Sequence, residues 1–494
     1  MASDGKITVS EVAKHATPDD CWIVVNGKVY DLTNFAPEHP GGASIVYQYA
    51  GKDGTKTYNM YHSADLIEQN LSDSDKKGPL DESTITQTWL DAQKEEEQVE
   101  ADPNEKPPLS TLINLEDFEL AFEKSGAKKA WAYIHGASND LHSLNANKSA
   151  WGKLWFRPRI MRKVRDINTK MSMFGQPSAM PVWICPMGIA KTAGEEGERA
   201  LGGGAAKGGI IHCMSTSSSM PPEDIVTAAP KTYPFFFQLY VDRTREKTEA
   251  LLARLNQLDQ VKALFVTVDL PVVSKREADE RIRQPTLKMS NYFGDANKSS
   301  VDKIGGGLAR TTGNFIDNTL NWEDLAWLRK HTHLPIVVKG IQSAEDAKIA
   351  MQMGCAGIVI SNHGGRALDN APSTLMVLME LRRDCPEIFD KMEVHIDGGV
   401  RRGSDVLKAI LLGARGVGVG RPFQCAVAYG TEGVEHACEL LQDEVETAMR
   451  LCGVTDLEKA RGDMSYLNCA ELEPMLPPRP STGSWLFGRL RARL

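Results

Sequence analysis

The chain has 494 residues, 41% apolar and 25% charged, a composition that excludes wholesale disorder and leaves room for about two to four domains. Its 57 basic and 65 acidic residues give a formal charge of −8, and the basic ones form no stripe, which excludes a nucleic-acid surface. No apolar run reaches the ~18–20 residues of a membrane helix, and Met1-Ala2-Ser3-Asp4-Gly5-Lys6 lacks the apolar core of a secretory signal, so a soluble protein with no leader and no membrane partner is expected. Nine scattered cysteines without a C-x-x-C pair point to buried thiols in a reducing compartment, not to disulfides or a thiolate metal site.

The first 80 residues contain the run Trp22–Asp31, a hairpin whose Asn26-Gly27 supplies the two positive-φ positions of a tight turn. It leads to His39-Pro40-Gly41-Gly42, where the chain turns sharply and leaves an imidazole projecting, and to His62 among tyrosines and Met60. Two neutral imidazoles facing each other across an apolar slot make a low-spin haem site suited to electron transfer. The stretch Ile7–Leu80 resembles the cytochrome b5 family almost end to end, which implies haem b with His39 and His62 as axial ligands. Acidic residues outnumber basic ones by 11 to 7 in residues 1–80, a balance that suits a basic redox partner.

A charged, proline-closed stretch comes next, and the expected division is a haem domain at 5–82, a linker at 83–108, a large domain at 109–470 and a tail at 471–494. The large domain repeats a β-branched run, a turn and a helical stretch. Eight runs are read: Val182–Cys185, Gly209–Met214, Phe235–Val241, Ala263–Asp269, Pro335–Lys339, Gly357–Ser361, Glu393–Asp397 and Gly416–Gly420. This alternation predicts an α/β fold, a closed (β/α)8 TIM barrel behind a small α+β haem domain. The long interval between the fourth and fifth runs, including Asn297–Gly307, reads as an excursion over the barrel mouth. Gly202-Gly203-Gly204 lacks a dinucleotide fingerprint and reads as close helix packing.

Reactive groups of such barrels sit where strands end. The sixth run ends in Ser361-Asn362-His363-Gly364-Gly365-Arg366, which puts a general base beside a guanidinium fork for a carboxylate, with glycines that allow a ligand close to the backbone. The seventh and eighth runs end in Asp397-Gly398-Gly399-Val400-Arg401 and Gly420-Arg421, the glycine-rich turns where barrels hold phosphate. Asp397 is expected to meet a ribityl hydroxyl or an arginine. Lys339, closing the fifth run, suits an anion developing on a cofactor. Gln238 with Tyr240, and Thr267 with Asp269, are two apart and share strand faces.

These runs, from about Leu109 to Leu457, resemble the FMN-dependent family that oxidises L-2-hydroxy acids. With a cytochrome b5-like domain in front, the order resembles that family's flavohaem branch, the cytochrome-linked L-lactate dehydrogenases. The resemblance implies His363 as the proton acceptor with Asp269 behind it. It implies Arg366 and Tyr133 on the substrate carboxylate, and Tyr240 and Arg276 at the hydroxyl and developing charge. For FMN it implies Pro186, Met187, Gly188, Ser215, Gln238, Thr267 and Lys339 at the ring and ribityl chain. Asp397, Gly398, Gly399, Arg401, Gly420 and Arg421 would lie toward the phosphate.

Gly188 and Ser217 stand where the family often has larger side chains, which predicts room for an acid bulkier or more polar than lactate. The expected acceptor is cytochrome c or another one-electron carrier reached through haem b, and the alternative is an oxidase that makes hydrogen peroxide. A haem module on a barrel that does not catalyse is opposed by His363, Arg366, Arg276, Tyr133 and Tyr240. The resemblance also implies a homotetramer. Ala492-Arg493-Leu494 matches a peroxisomal import tripeptide and points to peroxisomes or cytoplasm, with the mitochondrial intermembrane space of the flavohaem relatives as the alternative.

Overall fold

The computed structural model describes residues 5–39, 42–64, 66–92, 105–282, 307–313 and 315–479. Pro40 and Gly41, the centre of the acidic stretch, Asn297–Gly306 and Ala492-Arg493-Leu494 lie outside them. The chain divides into two compact units, residues 1–102 and 103–494.

The small unit carries a four-stranded antiparallel sheet of Ala16–Thr17, Asp20–Val25, Lys28–Asp31 and Lys76–Pro79, in that order. Its central hairpin turns at Asn26 and Gly27 with φ of 50° and 74°, the left-handed pair expected there. One sheet face packs Ile23, Val25 and Tyr30 under Leu32 and Val46; the other packs Val24 and Val29 against Val9, Val12 and Leu80. Packing of the small unit continues past residue 82. Asp81 caps the turn Glu82–Thr84 through Ser83 N, and helix Gln87–Ala92 buries Trp89 against Val9 and Val12. One large buried indole outweighs the polar residues beside it.

In the large unit eight parallel strands close into a barrel: Val182–Ile184, Ile211–Ser215, Phe235–Leu239, Val261–Thr267, Ile336–Ile341, Gly357–Ile360, Glu393–Asp397 and Gly416–Val419. Each pairs with the next, and Val417 returns to Val182. The strands are buried on both faces, so they read as continuous apolar runs. Trp183, Phe236, Phe265 and Val337 fill the interior, while Phe235, Phe237, Leu264 and Val338 face the helices. The unit also reaches past the boundaries set for it. Tyr429 donates to the Pro107 carbonyl at 2.7 Å, and Leu472 is buried in the helix-side core.

Gly204 lies on helix Glu198–Lys207, where an added Cβ would sit 2.5 Å from the Val434 Cβ of helix Gly430–Cys452. Gly152, on helix His142–Lys153, has nothing within 4 Å of its Cβ position. Gly204→Ala is therefore expected to lose about 1–3 kcal/mol in urea unfolding. Gly152→Ala is expected to gain about 0.4–1 kcal/mol, so equal effects at the two positions would refute this packing.

Candidate active site

The chemistry gathers at the C-terminal ends of the barrel strands. Asp269 lies just beyond the fourth strand, and its Oδ1 is 2.9 Å from Nδ1 of His363. The carboxylate is an acceptor only, so Nδ1 carries the proton and Nε2 keeps its lone pair, 3.3 Å from the Tyr240 hydroxyl. Two backbone features permit this. Gly340 adopts φ 118°, and a Cβ there would lie 2.7 Å from the Asp269 Cβ, so only glycine leaves that carboxylate its space. His363, Gly364 and Gly365 then take φ of 60°, 63° and 80°, a left-handed run that turns the imidazole into the mouth. Gly365 is required by the Leu144 backbone, 2.6 Å from its Cβ position, rather than by a ligand as the sequence suggested.

Burial pushes the His363 imidazole below its usual value, aided by Lys339 and Arg276, although Asp269 works against it. Burial alone would raise the Asp269 carboxyl, but His363 and Lys339 outweigh it and hold it low. The Tyr240 phenol is pushed up by burial, then by Asp269, and stays protonated.

Beside this triad a cavity of about 650 Å³ runs from Pro186 and Met187 past Gln238, Tyr240 and Lys339 to Gly398, Gly399, Arg401, Gly420 and Arg421. Neighbouring strands supply a polar rung beneath it: Ser215 Oγ donates to Gln238 Oε1 at 3.0 Å, and Gln238 Nε2 donates to Thr267 Oγ1 at 3.0 Å. Lys339 Nζ lies 2.9 Å from both Asp397 Oδ2 and Ser361 Oγ. Burial works to lower the Lys339 ammonium, but Asp397 and Asp269 overcome it. The partner of Asp397 is thus Lys339 and not an arginine. Its other oxygen, Oδ1, is buried with no hydrogen bond among the described residues, which leaves an acceptor for a hydroxyl.

At the far end Arg421 is buried, and its bonds go to backbone carbonyls, including Gly364 O at 2.9 Å. Burial, then Arg366 and Arg401, pushes it well below its usual value. Arg401 lines the cavity, but its Nε and Nη2 are held by Glu119. A buried guanidinium with no carboxylate partner among the described residues, beside Gly420, where a Cβ would meet the Cys185 Cβ at 3.6 Å, fits a phosphate. The donors and acceptors that line this cavity are of the kinds FMN would meet.

A second cavity of about 580 Å³ shares Pro186, Met187, Tyr240, His363 and Arg366 with the first and adds Tyr133, Arg276, Gly188, Ser217, Leu270 and Ile316. Arg366 Nε and Nη2 donate to the carbonyls of Gly136, Tyr133 and Ile134, and burial lowers it to about 10, which still leaves it cationic. Its Nη1 makes none of these bonds. Arg276 is buried, and its Nε has no hydrogen-bond partner among the described residues, which makes it a second donor for an anion. Gly188 and Ser215, expected at the cofactor, line this second cavity, and Thr267 reaches the site only through Gln238. Sequence reasoning missed Ser361, which accepts from His363 N at 3.0 Å and so fixes base and lysine together. It also missed Cys185, which lines the first cavity, and Gln424, which lines both. Being part of the hexapeptide was the available signal for Ser361.

In the small unit, the rings of His39 and His62 have centroids 6.1 Å apart at 87°. A metal about 2 Å from each imidazole nitrogen spaces the ring centres by about 6 Å, so the pair fits a haem iron held from both sides. Tyr58 packs against His62 and Phe35 against His39.

Residues 123–466 match the FMN-dependent dehydrogenase family, and residues 8–81 match the cytochrome b5-like heme/steroid binding domain. The chain is 39% identical over 476 residues to L-lactate dehydrogenase (cytochrome) of Saccharomyces cerevisiae, covering 94% of this chain and 80% of that one. It is 38% identical to the peroxisomal (S)-2-hydroxy-acid oxidase GLO4 of Oryza sativa subsp. japonica, covering 69% of this chain and 92% of the relative. Among solved structures it resembles the recombinant flavin-binding domain of baker's yeast flavocytochrome b2, with a TM-score of 0.66 and 38% identity, covering 77% of this chain and 94% of that one. A mandelate oxidase mutant with (S)-mandelic acid gives 0.62 and 32%, covering 72% and 98%. The chain belongs to the FMN-dependent dehydrogenase family and carries a cytochrome b5-like domain ahead of the barrel. Its cofactors are FMN and haem b.

The Lys339–Asp397 pair, 4% and 6% exposed, makes a further outcome measurable. Lys339→Met strands a buried carboxylate and is expected to cost about 3–5 kcal/mol in unfolding of the flavin-free protein. Adding Asp397→Leu should restore most of that loss, and a double variant as unstable as the single one would contradict the pairing.

Proposed function

We propose that the protein oxidises an L-2-hydroxy acid to the 2-oxo acid and sends the electrons through FMN and haem b to cytochrome c or a similar one-electron acceptor. The observation that carries this is the junction of the two cavities at His363, Tyr240 and Arg366, in a chain that also presents the His39–His62 pair. FMN supplies the two-electron sink and haem the one-electron exit.

The protein's own residues do the rest. Arg366 and Tyr133 hold the substrate carboxylate, which fixes the reacting carbon at the cavity junction. Tyr240 and Arg276 meet its hydroxyl, and Nε2 of His363 accepts the proton the substrate gives up. Asp269 keeps the imidazole in the required tautomer and stabilises the imidazolium that forms, the same division of labour as in other carboxylate–histidine pairs.

The oxidase reading is supported by relatives such as the rice peroxisomal oxidase, but that similarity covers only 69% of this chain. For compartment we propose the peroxisome or cytoplasm, with the mitochondrial intermembrane space as alternative, and for assembly a homotetramer. We keep the division into a haem domain and a barrel domain, with the boundaries moved as the packing of Trp89, Pro107 and Leu472 requires.

Anaerobic stopped-flow mixing of the holoprotein with L-lactate, and separately with L-mandelate, tests the reading. Flavin absorbance should bleach first and reduced haem bands should appear after it. Bleaching that leaves haem oxidised until oxygen is admitted would favour the oxidase, and no bleaching with either acid would sink both. A Cβ at Gly188 would sit 3.0 Å from the Ser217 Cβ and 3.3 Å from the Tyr133 hydroxyl. Gly188→Ala should therefore raise KM for L-mandelate more than for L-lactate. Since the base must be neutral, kcat/KM should be flat near pH 7 and fall on the acid side with a midpoint below the ordinary 6.5 of histidine. Asp269→Asn removes the group that supports His363 protonation, so that midpoint should move further to acid while kcat falls by about 10²–10⁴-fold. An unmoved acid limb would argue against the pair.

A further inference from the structure

Two residues placed around the substrate come from distant parts of the chain. Tyr133 lies on helix Lys128–His135, and Arg276 precedes helix Glu277–Arg281. A buried ion pair joins them from behind. Lys129 Nζ is 2.7 Å from Asp279 Oδ1, with side chains 5% and 1% exposed. Lys129 also donates to the Asp279 backbone carbonyl. Lys129 stands one helical turn before Tyr133, and Asp279 stands just after Arg276.

The same carboxylate reaches a third element. Asp279 Oδ2 accepts from Ala309 N at 3.1 Å, and Glu280 beside it accepts from Arg310 Nε at 2.9 Å. Ala309 lines the substrate cavity, whereas neither Lys129 nor Asp279 does. One carboxylate thus ties together the Tyr133 helix, the Arg276 turn and the Ala309 wall. A buried ion pair adds little net stability compared with an apolar pair of the same volume, because both charges lose their hydration. Its directed bonds instead fix distance and orientation.

We propose that Lys129 and Asp279 are positioning residues that set the spacing of Tyr133 and Arg276, and with it the affinity for a carboxylate-bearing substrate. This rests on the 2-hydroxy acid reading of the site.

The test uses the full-length holoenzyme and binding of pyruvate, a 2-oxo acid that cannot reduce the flavin, monitored by the flavin absorbance shift. KM and kcat for L-lactate and the thermal midpoint are measured beside it. Lys129→Met is expected to weaken pyruvate binding and raise KM by about ten- to a hundredfold, with a smaller change in kcat. Lys129→Arg, which keeps the charge, should recover most of the affinity. Lys129→Met combined with Asp279→Leu removes the stranded carboxylate and should recover the thermal midpoint without the affinity. The proposal is overturned if Lys129→Met binds pyruvate normally. It is equally overturned if the double variant regains affinity together with stability, as a purely structural pair would. Failure of the unsubstituted holoenzyme to bind pyruvate or turn over lactate would strike the 2-hydroxy acid reading itself, and is distinguishable because it precedes any substitution.

Discussion

The hydrogen bond between the Asp269 carboxylate, whose side chain is 0% exposed, and Nδ1 of His363 is the constraint around which the barrel mouth is arranged. It requires a carboxylate with no water around it, and such a group persists only when cations and donors face it. His363 and Lys339 supply that stabilisation, and Gly340 supplies the space. The sixth strand must then deliver an imidazole from a left-handed backbone, which few side chains tolerate, and Ser361 holds that turn by its hydroxyl. Base, lysine and carboxylate are consequently one structure rather than three independent residues.

The mouth also holds more positive than negative charge. Arg366, Arg421 and Arg276 are buried or nearly so, with backbone carbonyls or an unpartnered Nε in place of carboxylates, while Asp269 and Asp397 are already engaged by His363 and Lys339. Carbonyl dipoles soften the cost of burying a guanidinium but do not neutralise it. In the proposed function this deficit is closed by anions from outside the chain, a phosphate at Arg421 and a carboxylate at Arg366 and Arg276. Ligand binding and site completion are the same event, so part of the binding energy offsets repulsion already built into the fold.

Much of this was legible in the sequence because period and punctuation agreed. The eight runs have the length and β-branched content of buried parallel strands, and Asn26-Gly27 can serve few purposes besides a tight turn. Residues two apart on a strand gave the shared faces of Gln238 with Tyr240 and of Thr267 with Asp269. What the sequence hid were contacts between segments far apart in the chain. Glu119 takes the guanidinium of Arg401, Lys339 takes Asp397, and Leu144 dictates Gly365. Trp89 was hidden for a different reason: a single aromatic residue inside a charged stretch has no period, yet it buries enough surface to extend the small domain past its expected end.

Joining the two units on one chain changes the kinetics of electron transfer after substrate oxidation. An electron carrier in solution must find the reduced flavin by diffusion, whereas a haem on the same chain needs no bimolecular encounter. Oxygen has no such advantage. Intramolecular transfer therefore competes well with an acceptor that must diffuse to the flavin. In the proposed function the haem passes its electron to a further acceptor, and the acidic excess of residues 1–80 suits a basic one. On that reading the opposite charges favour different partners, an anionic substrate at the cationic barrel mouth and a basic acceptor at the haem domain.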